Sequence, residues 1–311
     1  MSNEPRTFRV GDATIIKIQE LALDAFTPEA LYPSAHPDVA NAAAREFGPG
    51  SYDRTTNMVR QSIHTWLVRT PGRTVLVDTA TGNDKELPDV PALDHLSEPF
   101  LDRLAAAGTL PKDVEVVLLT HIHADHVGWN TRLVDGRWVP TFPNATHIFS
   151  GRERAYAQAF AAGDGSDVAI RQAAGLGRMA RLPAAGIFEA SMLPVIEAGL
   201  TREIAVDGGQ ALKDFRYLPT PGHSIDHAAI EFTSGAERAL FWGDVLHHPA
   251  QVARPDLHSV FCEFPDAALR SRRWALDHAA DTGALVFTTH FAESSAGRVT
   301  REGDGFRWRF A

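Results

Sequence analysis

The stretch Val114-Glu115-Val116-Val117-Leu118-Leu119-Thr120-His121-Ile122-His123-Ala124-Asp125-His126 decides how this chain is read. Its first half is a near-continuous apolar run, the pattern of a strand covered on both faces. Its second half places four metal-competent side chains, His121, His123, Asp125 and His126, within six residues. The change is abrupt, which puts the histidines on the loop leaving a buried strand. On an extended stretch, residues i and i+2 point the same way. His121 and His123 can therefore bind one ion together, while Asp125 and His126, past the turn, can reach a second ion nearby. Imidazole and carboxylate together suit zinc, iron, manganese or cobalt. A lone histidine is usually solvated or satisfied in a core. Four such groups directly after a VVLL strand, ending in Gly128, read instead as a metal site.

Outward from this stretch, strands and helices alternate. Strands are expected at 13–20, 62–69 and 73–78, the last two joined by the turn Thr70-Pro71-Gly72. A helix is expected at 97–107, with Ser97 as N-cap and Gly108 after the last turn. Beyond the histidines come a short strand at 145–149, a helix from 151 and a helical stretch at 188–198. Residues 162–186, rich in Ala and Gly, give no clear assignment. Strands near 203–206, 215–219, 228–232 and 238–242 follow, then a helix over 266–280 and a buried strand at 284–289. A closing hairpin turns around Gly303-Asp304-Gly305. Residues 27–57, rich in Pro, Ala, Gly and Asn, read as a partly helical insertion. No linker separates the two halves, so the expected architecture is one α/β domain over 1–311, with two sheets packed face to face and helices outside.

Composition narrows the function. The chain has 311 residues, 44% hydrophobic and 22% charged, with a net charge of −9 and only four lysines. Nucleic-acid binding needs a basic face and finds no support here. Cys262 is the single cysteine, so no intrachain disulfide forms. No stretch approaches the ~20 apolar residues of a membrane helix. The N-terminus is polar and lacks the apolar region of a secretory signal. These features lead us to expect a cytoplasmic protein without membrane or nucleic-acid partners.

The run His121-x-His123-x-Asp125-His126 resembles the HxHxDH signature of the metallo-β-lactamase superfamily. Other pieces fall in family order. Pro221-Gly222-His223-Ser224 resembles the TPGH motif, and Phe241-Trp242-Gly243-Asp244 the Gly-Asp motif after an apolar strand. Thr289-His290 resembles the last histidine. Leu76-Val77-Asp78-Thr79 is similar to the VDTG turn, with Ala80 in place of the usual Gly. The resemblance implies an αββα sandwich with two mixed sheets. It implies that His121, His123 and His223 bind a first metal, that Asp125, His126 and His290 bind a second, and that Asp244 bridges them. Two divalent ions, zinc foremost, would then generate a metal-bridging hydroxide that attacks the substrate. Asp125 is the favoured proton shuttle, with Asp244 the alternative. Asp78 is not expected to be a ligand. It either orients the histidine loop or serves as a turn residue.

Departures from particular subfamilies restrict the substrate. Asp244 argues against B3 β-lactamases, which lack it, and against B1 enzymes, which carry Cys there. The C-terminal hairpin argues against glyoxalase II, and the acidic charge against RNA-processing members. A full ligand set argues against persulfide dioxygenases, which use one iron. N-acyl-homoserine lactonases share the ligand set, but their best-known members have a Tyr shortly after the bridging Asp, and residues 243–249 contain none. The chain looks more like the methyl parathion hydrolase group in length, N-terminal extension and C-terminal end. The resemblance thus implies hydrolysis of a small ester, lactone or phosphotriester by a homodimer. A dedicated lactonase, or an iron enzyme of oxygen or sulfur chemistry on the same fold, is the alternative.

Pocket walls are sought among Trp129, Phe160, Phe188, Phe291 and Met58, with Trp129 best placed, three residues after His126. His247 and His248 are read either as proton shuttles or substrate donors, or as polar loop residues, the latter preferred for His248. His147 is read as structural and Cys262 as a small buried residue.

Overall fold

The apolar run before the histidines becomes an inner strand, and its neighbours explain why it carries no polar side. In the computed structural model, which describes residues 6–311, the chain divides into two compact units. The first comprises the chain through Leu21, Ile63–Ala174 and Pro183–Ala205; the second comprises Ala22–Ser62, Gly175–Leu182 and Val206–Ala311. Met1–Pro5, half of the polar N-terminal stretch read above, lie outside the described residues.

In chain order the strands to residue 204 are β1 (Thr7–Val10), β2 (Ala13–Phe26), β3 (Tyr52–Asp53), β4 (Met58–Thr70), β5 (Arg73–Val77), β6 (Val116–Leu118), β7 (Thr131–Val134), β8 (Arg137–Pro140), β9 (Thr146–Ser150) and β10 (Thr201–Ile204). One mixed sheet runs β1-β2-β4-β5-β6-β9-β10, with β3 paired to β4. β5, β6, β9 and β10 are parallel neighbours, pairing Leu76 with Val117, Val117 with His147, and His147 with Thr201. Parallel strands joined by crossovers are covered on both faces. Accordingly Val75, Leu76, Val117, Leu118 and Ile148 are all buried. The second unit holds β11 (Gln210–Leu212), β12 (Phe215–Pro219), β13 (Ala228–Ser234), β14 (Glu237–Phe241), β15 (Leu285–Phe287), β16 (Ala296–Glu302) and β17 (Gly305–Phe310), hydrogen-bonded in that order. Only β14 and β15 are parallel in it, because the helix Pro265–Thr282 forms the crossover between them.

In the second unit Trp242, Leu276, Phe291, Val299 and Trp308 share a core with that helix. The 27–57 segment has its own core: helices Pro28–Leu31 and Pro37–Arg45 bury Leu31, Tyr32, Ala40 and Ala44 against Tyr52, Val59 and Leu257. Among the described residues no helix is long and apolar enough to cross a membrane.

Three local expectations change. The helix expected at 97–107 is Phe100–Ala106, with Pro99 rather than Ser97 at its N-cap. The residue before a proline avoids helical geometry, and Glu98 is tied instead to Asn83, whose side chain bonds its N–H and C=O. The stretch 188–198 is helical but opens with a π-turn, Phe188–Met192, before α-helix Leu193–Glu197. Residues 162–186 contain the helix Ser166–Ala174.

Candidate metal centre

In the first unit, β6 ends and Thr120 leads into the histidine loop. His121 and His123 have ring centroids 4.5 Å apart, and His121 and His126 4.1 Å. Asp125 and His126 lie in the single helical turn Ala124–Val127. His126 Nε2 is 3.9 Å from Asp125 Oδ1. His121 and His126 are buried, whereas Asp125 keeps 21% of its side chain exposed.

This loop is held from behind by Asp78. Its Oδ1 accepts from the Thr120 N–H at 2.8 Å, and Thr120 Oγ1 reaches both carboxylate oxygens. Its Oδ2 lies 2.9 Å from His126 Nδ1. A carboxylate at Nδ1 fixes the proton there and leaves Nε2 as the electron-pair donor. Asp78 adopts φ +56°, a conformation that Asn and Asp tolerate better than other side chains. Close approach fixes a glycine too. A Cβ on Gly128 would stand 1.6 Å from the Thr81 carbonyl oxygen. The turn it meets is clamped by buried Glu20, which accepts from Thr81 N, Gly82 N and Trp129 Nε1. Burial raises the Glu20 pKa and these three donors oppose the rise.

The second unit carries a cluster of its own. His223 follows Gly222, which has φ +127° and whose added Cβ would lie 2.1 Å from the Ala268 nitrogen. Asp244 leaves β14 after Gly243, which has φ +53°. His290 follows β15 and presents Nδ1 to the Ser62 carbonyl at 3.3 Å. Three imidazole nitrogens surround one carboxylate oxygen. Asp244 Oδ2 is 3.2 Å from His223 Nε2, 3.3 Å from His247 Nε2 and 3.0 Å from His290 Nε2. All four side chains are buried. Neutral imidazoles converging on a carboxylate form a donor set suited to a divalent metal, so the residues fit the ions the sequence resemblance implied. Burial lowers the His247 pKa, against the pull of Asp244, which favours the neutral, ligand-competent ring.

His227 and Arg272 carry no local signal in the sequence. His227 Nε2 accepts the Asp244 backbone N–H at 3.0 Å, so its Nδ1 carries the proton, 2.8 Å from Thr220 Oγ1. Arg272, buried in helix Pro265–Thr282, donates to the carbonyls of Val245, Pro255 and Leu257 and so braces the loop after Asp244. Cys262 lies with Sγ 3.8 Å from His223 Nδ1, and burial pushes its thiol up to about 11.

Other candidates fall elsewhere. Trp129, read as a pocket wall, stacks on Phe100 at 5.1 Å and bonds Glu20, which packs its ring in the core. Phe291 is likewise core, fully buried against Trp242 and Trp308. Phe160 and Phe188 do line a cavity of the first unit, with Ile122, Ala157 and Ile187. Met58 pairs with Asp53 at the start of β4. His248 is structural: Nε2 meets the Ser51 carbonyl at 2.9 Å and Nδ1 accepts from Ala250 N–H. His147 is buried in β9 with Nδ1 at the Leu200 carbonyl.

Comparison with solved structures shows the same architecture. A hydrolase described as AbOPH, in the beta-lactamase superfamily, superposes with a TM-score of 0.80 at 22% identity, covering 100% of this chain and 98% of that one. AidC, a dizinc quorum-quenching lactonase solved with its product N-hexanoyl-L-homoserine, gives 0.74 at 19% identity, covering 99% and 97%. A probable metal-dependent hydrolase from Staphylococcus aureus gives 0.72 at 16% identity, covering 98% and 99%. No curated protein matches the sequence significantly. The family model of the metallo-beta-lactamase superfamily matches residues 59–290, a span that begins in β4 and ends at His290, and the chain therefore belongs to that superfamily.

Proposed function

We propose that this protein is a metal-dependent hydrolase of small esters, lactones or phosphotriesters. In this reading, two divalent cations, zinc foremost, are held by His121, His123, Asp125, His126, His223, Asp244 and His290. The observation that carries the reading is the convergence of imidazole nitrogens on Asp244 Oδ2. The likeness to the dizinc lactonase AidC and to the hydrolase AbOPH supports it. Bound cations supply Lewis acidity toward a carbonyl or phosphoryl oxygen and make water nucleophilic near neutral pH.

The protein's own residues do the rest. Asp78 orients His126 through Nδ1, and His227 orients Asp244 through its backbone N–H. Asp125 is the better proton carrier of the two site aspartates. Its carboxylate is partly open to solvent, whereas only 4% of the Asp244 side chain is exposed. A relay group must exchange protons with water between turnovers. In this reading the substrate is a small ester-like molecule, which a chain of net charge −9 need not attract with a basic surface.

The test is kcat/KM for a hydrophobic lactone and for an aryl phosphotriester on metal-reconstituted protein. Turnover of either supports the reading, and the preferred one names the class. A dedicated lactonase, the second reading, is favoured by the AidC likeness and predicts strong preference for the lactone. No turnover of either by protein carrying its metals would overturn both.

A further inference from the structure

The structure assigns His247 as a further metal ligand, acting on the same ion as His223 and Asp244. The inference rests on the reading of this site as a metal centre and adds a residue to it. One ring nitrogen each of His247 and His223 and an Asp244 oxygen form a group whose ligand atoms all lie within 4.8 Å of one another, with all three residues buried. The two N···O separations, 3.3 and 3.2 Å, are the informative quantities. A tetrahedral ion with bonds of about 2.0–2.1 Å has ligand-to-ligand edges of about 3.3–3.4 Å. The two nitrogen-to-oxygen separations stand close to that spacing, and the nitrogen-to-nitrogen separation lies within 4.8 Å.

The ring is held in that direction from every side. Its backbone N–H donates to Gln251 Oε1 at 2.7 Å, and its carbonyl accepts from Gln61 Nε2 at 3.1 Å. It stacks on His290 at 5.5 Å with the planes 4° apart, and Phe261 covers it at 5.5 Å. Among the described residues the Asp244 carboxylate, 3.3 Å away, is the polar group that Nε2 faces. A fully buried imidazole with Nε2 3.3 Å from the Asp244 carboxylate is placed to share a cation with it. His248, the next residue, is the contrast: both of its nitrogens are used by the backbone.

The test uses cobalt(II)-loaded full-length protein. In His247→Cys, a thiolate on the ion adds a near-ultraviolet sulfur-to-cobalt charge-transfer band that the wild type, despite Cys262, lacks. In His247→Gln, chelator competition should show one of two cobalt ions bound at least tenfold more weakly, with the visible cobalt spectrum altered. No new band in the first variant and unchanged affinity and spectrum in the second would overturn the assignment, even if turnover falls, because His247 would then act on the substrate alone. A wild type that binds no cobalt would overturn the metal-centre reading itself, and this inference with it.

Discussion

Asp78→Asn is the most informative single change outside the ligand set. Asparagine matches aspartate in shape and tolerates the positive φ of this position, so the backbone should stay in place. Its oxygen can still accept from the Thr120 N–H, as Asp78 Oδ1 does now. The amide nitrogen then faces His126 Nδ1, where a carboxylate oxygen stood at 2.9 Å. Two donors cannot share that contact. The imidazole must move its proton to Nε2, which removes the electron pair needed by a metal. Hydrogen bonds to charged groups contribute about 1.5–3 kcal/mol, and loss of a partner behind a ligating histidine typically costs about 10–100-fold in metal affinity. These magnitudes agree, since a tenfold change is about 1.4 kcal/mol. Chelator-competition titration with zinc should therefore show at least one ion bound about 10–100-fold more weakly in the variant, with circular dichroism unchanged. Affinity within about threefold of wild type would refute the idea that Asp78 sets the His126 tautomer.

Gly128→Ala drives a methyl into the Thr81 carbonyl and should cost about 3 kcal/mol or more, read as a lowered Tm or loss of soluble protein; a Tm within a degree or two of wild type would contradict the packing described. Lys85 is buried and held at about 7 instead of 10.5, chiefly by burial. The unfolded chain binds more protons between these values, so the penalty is full below about pH 7 and fades towards pH 10.5. Lys85→Met should therefore be worth most near pH 7, shrinking by about 1.4 kcal/mol per pH unit above it; a difference that does not change with pH would contradict this. His147 is held at about 4 by burial, against 6.5. The unfolded chain takes its proton first, so up to about 3 kcal/mol of stability is lost between pH 6.5 and 4. His147→Gln should flatten the acid limb of the unfolding curve, and an unchanged limb would argue against the assignment.

The parts legible in the sequence are those whose partners are covalently close. His121, His123, Asp125 and His126 announce themselves because one loop carries them, and His223, Asp244 and His290 because each follows an apolar strand and a short turn. The hairpin β7–β8 turns on Asp135-Gly136, both at positive φ, a strong two-residue turn signal. Glu20, His227 and Arg272 reach their partners only through tertiary folding, and nothing local to them marks the contact. Trp129 and Phe291 sit beside ligands in the chain, yet the helical turn and the bridge from Gln61 to Phe291 send their rings into the core. Nearness to a ligand in sequence does not set side-chain direction.

The central claim is that these residues hold a pair of ions that does the chemistry, with Asp244 shared between them. The most direct test is metal content and ester or lactone hydrolysis measured together on wild type and Asp244→Ala. The account predicts about two divalent ions per chain in the wild type, and parallel loss of metal and rate in the variant. An Asp244→Ala protein that keeps both ions and most of its activity would contradict it.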